Sequence, residues 1–118
     1  MTSAELARLA ALAADDKKAK NVVILDIGPI STITDYFVIC HGSSSVQVKA
    51  IVDQVAERVR DAEGRHPHHV EGYAGARWVL LDYGDVVIHV FQEHEREFYN
   101  LERLWGDAKM VELQEAAH

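Results

Sequence analysis

Asp82 and His89 lie on either side of a Gly-Asp dipeptide that joins two β-rich runs. With a serine they would make a nucleophilic triad, the imidazole taking the hydroxyl proton and the carboxylate orienting the ring. A triad also needs a serine in hydrogen-bond reach and an oxyanion hole, and no spacing in this sequence supplies either. Gly42–Ser43–Ser44–Ser45 stands between a strand-like and a helix-like run, where backbone N–H groups can cradle a phosphate. It is neither a Walker loop nor a G-x-G-x-x-G fingerprint, and helix capping is the favoured use of the serines. His66, His68 and His69 precede Glu71 and raise the question of a metal, but no cysteine lies near in sequence. A solvated loop is the better reading. Cys40, the only cysteine, has no acid or base signature beside it and reads as a small core residue.

Strand, Gly-Ser and helix together look like the opening of a nucleotidyltransferase domain. Those enzymes hold Mg²⁺ with two or three carboxylates. Their usual pair of acids one residue apart on the following strand is missing. Asp53 stands at a compatible distance, yet on a helix and followed by Gln54 and Val55. An enzyme reading would have to draw on scattered acids such as Asp26, Asp35 and Asp82.

The elements that position these residues are legible from periodicity. Thr2 and Glu5 have the form of a capping box for a helix over about 4–18, with Leu6, Leu9, Ala10 and Ala13 on its apolar stripe. Val22 to Ile27 and Tyr36 to His41 read as strands, the second apolar at both parities and so buried on both faces. Ser44 and Gln47 repeat the capping pattern before a helix whose Val48, Ile51, Val52, Val55, Ala56 and Val59 share one face, with Gly64 at its end. Val70 to Tyr73 makes a short strand, and a small-residue loop follows.

Trp78 to Phe91 is a hairpin about Gly84-Asp85. A two-residue turn pairs Tyr83 with Val86, Leu81 with Ile88 and Val79 with Val90, which makes that parity the core face. The other parity carries Trp78, Leu80, Asp82, Val87, His89 and Phe91. Large apolar groups interrupted by an acid and an imidazole suit a partner surface. The same face could equally lie beneath the last helix, and one hairpin does not decide between the two. That helix is expected over about 93–105, with Phe98, Leu101, Leu104 and Trp105 on its apolar stripe. A polar tail follows, and residues 109–118 are expected to be flexible.

Composition bounds the classes. Apolar residues at 48% and charged residues at 26% describe one globular domain, placed at residues 1–108. Twelve basic against 19 acidic residues leave a net charge of −7, which repels phosphate backbones and favours a basic protein as partner over nucleic acid. A lone cysteine suits a reducing compartment. No apolar run is long enough to span a bilayer, and Met1 to Ala14 lacks the marks of a signal or transit peptide, so a cytoplasmic location is expected. The element order gives an α/β domain, a mixed sheet flanked by helices.

Two blocks of residues resemble the ribosomal silencing factors, also called Iojap-related proteins. The first runs from Asp35–Tyr36–Phe37–Val38–Ile39 through Gly42–Ser43 to Gln47–Val48 and Ala50–Ile51. The second holds Glu71–Gly72, Trp78 to Asp85, Val87, His89–Val90–Phe91, Arg96, Phe98–Tyr99, Leu101–Glu102 and Leu104–Trp105. The resemblance implies a nucleotidyltransferase-like core without the catalytic acids, no enzymatic activity and no cofactor. It implies binding to the large ribosomal subunit at its universal protein fourteen, which blocks small-subunit joining and represses translation under nutrient limitation. On that implication Trp78, Leu80, Asp82 and His89 belong to the partner surface, with Arg96, Tyr99 and Asn100 nearby. Alternative roles are a large-subunit assembly factor or a nucleotide-binding enzyme, and the apolar hairpin face could support a homodimer of the free protein.

Overall fold

Thr2 opens the first helix as expected: its hydroxyl accepts from the Glu5 N–H at 3.1 Å, and the Glu5 carboxylate accepts from the Thr2 N–H at 2.9 Å. The structure is a computed structural model that describes residues 1–112. Its elements are α1 (Ser3–Asp16), β1 (Lys20–Asp26), a short 3₁₀ turn (Gly28–Ile30), β2 (Tyr36–Gly42) and α2 (Ser45–Glu63). There follow β3 (His69–Glu71), β4 (Trp78–Asp82), β5 (Val86–Gln92), α3 (Glu93–Tyr99), α4 (Leu101–Leu104) and β6 (Lys109–Glu112). The strands form one mixed sheet in the order β3-β4-β5-β2-β1-β6. Among the described residues only β2 and β5 pair in parallel, and α2 with the β3–β4 segment makes the crossover between them. No helix among the described residues is long and apolar enough to cross a membrane.

One face of the sheet is sealed by α1 and α2. Leu6, Ala7, Ala10, Val48, Ile51, Val55 and Val59 pack on Val38, Cys40, Val79, Leu81, Ile88 and Val90, all of them buried. The alanines let α1 lie close to its neighbours, which supplies the packing a short alanine-rich helix needs. The hairpin register matches expectation, with Val79 opposite Val90, Leu81 opposite Ile88, and the Tyr83 N–H donating to the Val86 carbonyl at 2.9 Å. Gly72 sets where β4 begins: a Cβ there would meet the Trp78 carbonyl oxygen at 2.1 Å, and its φ of +79° suits glycine.

The opposite face holds Leu25, Ile27, Phe37, Ile39, Val87, Phe91 and Leu101, with Trp78, Leu80 and Trp105 partly buried against them. Here two expectations are corrected. The last helix is not continuous over 93–105. Asn100 adopts φ 45° and ψ 62°, its N–H closing α3 on the Arg96 carbonyl and its side chain accepting from the Arg103 N–H at 3.3 Å to open α4. Asparagine takes the left-handed conformation more readily than most residues, so one side chain ends one helix and starts the next. The tail expected to be flexible from Lys109 is, over its first four residues, strand β6, which pairs antiparallel with β1 from Asp26↔Lys109 to Val23↔Glu112. Residues 113–118, the rest of that tail, lie outside the described residues.

Candidate partner-binding site

Cross-strand pairing places Trp78 opposite Phe91, Leu80 opposite His89 and Asp82 opposite Val87. Trp78 and Leu80 therefore project from β4 on the side away from α1 and α2, where the α3–α4 elbow leaves them half-buried. The Trp78 indole stacks on Phe91 with centroids 4.9 Å apart and meets the Tyr99 ring at 4.7 Å, and Tyr99 meets Phe98 edge-on at 5.0 Å. Each such pair adds about 0.5–1.5 kcal/mol beyond area burial. The chain of rings thus runs from the sheet out to the elbow.

At the elbow the chain turns apolar groups outward. Phe98 and Leu104 are each 73% exposed and Tyr99 is 48% exposed. A cleft of about 510 Å³ lies along Phe98, Tyr99, Asn100, Arg103 and Leu104. A smaller hollow of about 310 Å³ opens beside Glu71, Gly72, Trp78 and Leu80. Two large side chains this exposed, a few residues apart, make an apolar patch of the kind found at interaction sites. Both were expected on the apolar stripe of a continuous helix. The left-handed turn at Asn100 redirects them, while Leu101 keeps its place in the core at 8% exposure. The signal for this is Asn100 itself, a residue equally suited to end a helix and to cap the next.

Two residues expected on the partner surface are buried. His89 is 4% exposed, its Nδ1 accepting from the Trp78 Nε1–H at 3.1 Å and its ring edge-on to Phe37 at 4.7 Å. Because indole only donates, the His89 proton sits on Nε2, which has no partner among the described residues. Burial pushes the imidazole down to about 4, with the Asp82 charge opposing it. Arg96 is 8% exposed. Its Nη1 donates to the Lys20 carbonyl at 3.2 Å and meets His41 Nδ1 at 3.0 Å, and its Nη2 pairs with Glu102 Oε2 at 3.3 Å. One guanidinium thus ties α3 to α4, β1 and β2. The physical reason for both corrections is that the sheet's second face is partly covered, so residues toward β5 and β2 sit under α3 and α4.

Asp82 is half-buried at the hairpin end, with Oδ1 accepting from the Gly84 N–H at 2.8 Å. It and His89 are diagonal on the sheet, as the register demands. The remaining candidates fall into local structural roles. Ser44 caps α2 by accepting from the Gln47 N–H, while Gln47 Oε1 accepts from both the Ser43 N–H at 2.7 Å and its hydroxyl at 2.9 Å. The N–H that would face a phosphate is thereby engaged. His66, His68 and His69 are exposed, and no group of three His, Cys, Asp or Glu among the described residues is gathered to hold a metal ion. Cys40 is fully buried, its thiol pushed up to about 12 by desolvation.

The chain is similar to known proteins along its whole length. A family model described as "Ribosomal silencing factor during starvation" matches residues 1–118. A ribosomal silencing factor of Halalkalibacterium halodurans is 53% identical over 114 residues, covering 97% of each chain. That of Bacillus subtilis is 47% identical over 113 residues, 96% of this chain and 95% of the relative. A crystal structure of a Chromobacterium violaceum protein superposes with a TM-score of 0.86 at 34% identity, covering 90% of this chain and 88% of that one.

Proposed function

This chain belongs to the ribosomal silencing factor family of non-catalytic regulators, and on that premise we propose that it represses translation by occupying the subunit-joining face of the large ribosomal subunit. Its contact there is the universal ribosomal protein fourteen. A bound copy excludes the small subunit sterically, under nutrient limitation, with no chemical step.

The observation that carries this reading is the elbow surface: Phe98, Tyr99 and Leu104 exposed beside Trp78 and Leu80. Aromatic anchors flanked by apolar area are what dominate binding energy at protein interfaces. The elbow also carries Glu93, Glu95, Glu97 and Glu102 within a chain of net charge −7, which complements a basic ribosomal protein and steers its approach. Trp78, Leu80, Asp82, Tyr99 and Asn100 serve as contacts. His89 and Arg96 act from below, the first orienting Trp78 and the second fixing the elbow. The same apolar rim is where a second copy would bind in the free protein, so self-association competes with subunit binding.

The test is sedimentation with separated subunits, the small subunit added before or after the protein. Co-sedimentation with the large subunit is expected, with fewer joined ribosomes when the protein arrives first. Trp78→Ala weakens that binding while the circular-dichroism spectrum stays folded. Failure of the wild-type protein to associate with the large subunit overturns the reading.

A further inference from the structure

A cavity of about 600 Å³ is distinct from the apolar cleft. It lies on the other side of the elbow, between the start of β1 and the α3–α4 turn, lined by Asn21, His41, Glu93, Arg96, Glu97 and Glu102 among others. From this cavity we infer a receptor for one basic side chain, arginine or lysine, presented by the protein partner that covers the elbow. The inference rests on the binding role given above and names the group that the site takes.

Two residues lining the cavity, His41 and Glu102, each have one polar atom without a partner among the described residues. His41 is 5% exposed, and its Nδ1 is taken by the Arg96 guanidinium, which only donates. Its proton therefore sits on Nε2, which makes no hydrogen bond among the described residues and is free to donate to a ligand carbonyl. Burial and the Arg96 charge both push the imidazole down, so this neutral form is the one present at pH 7. Glu102 spends one carboxylate oxygen on Arg96, and the other, Oε1, is buried with no donor. A buried acceptor left unmatched costs about 1–3 kcal/mol, which an incoming N–H donor recovers.

Charge points the same way. Arg96 pairs with Glu102 and His41 is neutral, so Glu93 and Glu97 leave the cavity mouth net negative even with the Lys20 charge nearby. These two sit four residues apart on one face of α3, where like charges repel. A cation lodged between them removes that repulsion and meets Glu102. The carbonyl acceptor that His41 awaits is what the main chain beside a basic side chain provides. A free metal ion is disfavoured by the same geometry, since no group of three ligating side chains among the described residues is gathered for one.

The test has two arms on the full chain. In the first, the ¹⁵N-labelled protein is titrated with N-acetyl-arginine amide and with N-acetyl-citrulline amide, its uncharged analogue. Shifts are expected at Asn21, the His41 ring and Glu97 with the arginine compound only, and they vanish in the Glu93→Gln/Glu97→Gln protein. Absence of these shifts, or equal shifts with citrulline, overturns the inference. In the second arm the same variant is bound to isolated large subunits, where a loss of about tenfold is expected together with a weaker dependence on salt. A variant that binds arginine poorly yet binds the subunit like wild type shows that the cavity takes a free cation, which overturns the partner-borne assignment. Wild-type protein that ignores the large subunit overturns the function proposed above instead, and leaves the cavity to be judged by the titration.

Discussion

The two faces of the sheet are made from the same strands and answer different demands. Beneath α1 and α2 the contacts are mostly aliphatic, with Tyr83 at one end, and residue after residue has no exposed surface. Beneath the elbow aromatic rings join the aliphatic residues, and the face is interrupted by His89 and His41, crossed by a buried arginine, and open toward β3 and β4. The first arrangement gains its stability from close packing of shapes with few polar needs, the Tyr83 hydroxyl being the exception. The second accepts desolvated polar groups, which cost free energy unless each finds its partner, in return for rings and charges held at fixed places on a surface. One side is closed and apolar, and the other is the side on which the proposed partner surface lies.

That division can be broken by experiment, beginning where the effect is greatest. Truncating Ile88→Ala on the sealed face is expected to cost about 3 kcal/mol in urea unfolding, through lost burial plus the cavity left behind. The folded fraction should still bind large subunits at wild-type affinity. Impaired binding per folded molecule would show that the faces are coupled.

Acid sharpens the contrast next. His89 is held neutral, at about 4 against an ordinary value near 6.5, so below pH 6.5 the unfolded chain binds a proton that the native one refuses. Stability falls as pH drops from about 6.5 to 4, by roughly 2 kcal/mol between pH 7 and pH 5. Unfolding midpoints compared between wild type and His89→Gln measure this, since the variant loses that share of the pH dependence.

Smaller again is Thr2→Ala, which removes the cap of α1 and is expected to cost about 1 kcal/mol with no change in subunit binding. Last comes Phe98→Ser with Leu104→Ser, two exposed positions whose stability cost should stay within about 0.5 kcal/mol each. Co-sedimentation with large subunits is nonetheless expected to fall about tenfold or more, as for loss of an interface anchor. A double variant that binds normally would strip the elbow of its role.

Much of the sealed face was legible in the sequence because periodicity and capping report local geometry. The Thr2–Glu5 box, the α2 stripe and the hairpin register all follow from spacing alone. The second face was legible in composition but not in exposure. Whether Trp78 or His89 is covered depends on where a distant helix lands, and that is decided by Asn100, a single residue whose left-handed backbone carries no hydrophobic signal. Phe98 and Leu104 were misplaced for the same reason. Arg96 shares its helix with exposed glutamates, and its burial depends on the Lys20 carbonyl, 76 residues away in sequence. Strand β6 was missed because four residues with one strongly apolar pair give no period to read, and its partner is at the other end of the chain.

That last pairing bears on how the molecule is made. Roughly eighty residues separate Asp26 from Lys109, so during synthesis β1 waits on the order of ten seconds for the strand that will cover its outer edge. Until then it presents unpaired N–H and C=O groups, a template on which other chains can add. A chain stopped just before Lys109 keeps both helical layers and still exposes this edge permanently. Termination just before Lys109 is therefore expected to yield a protein that aggregates rather than one that is merely shorter.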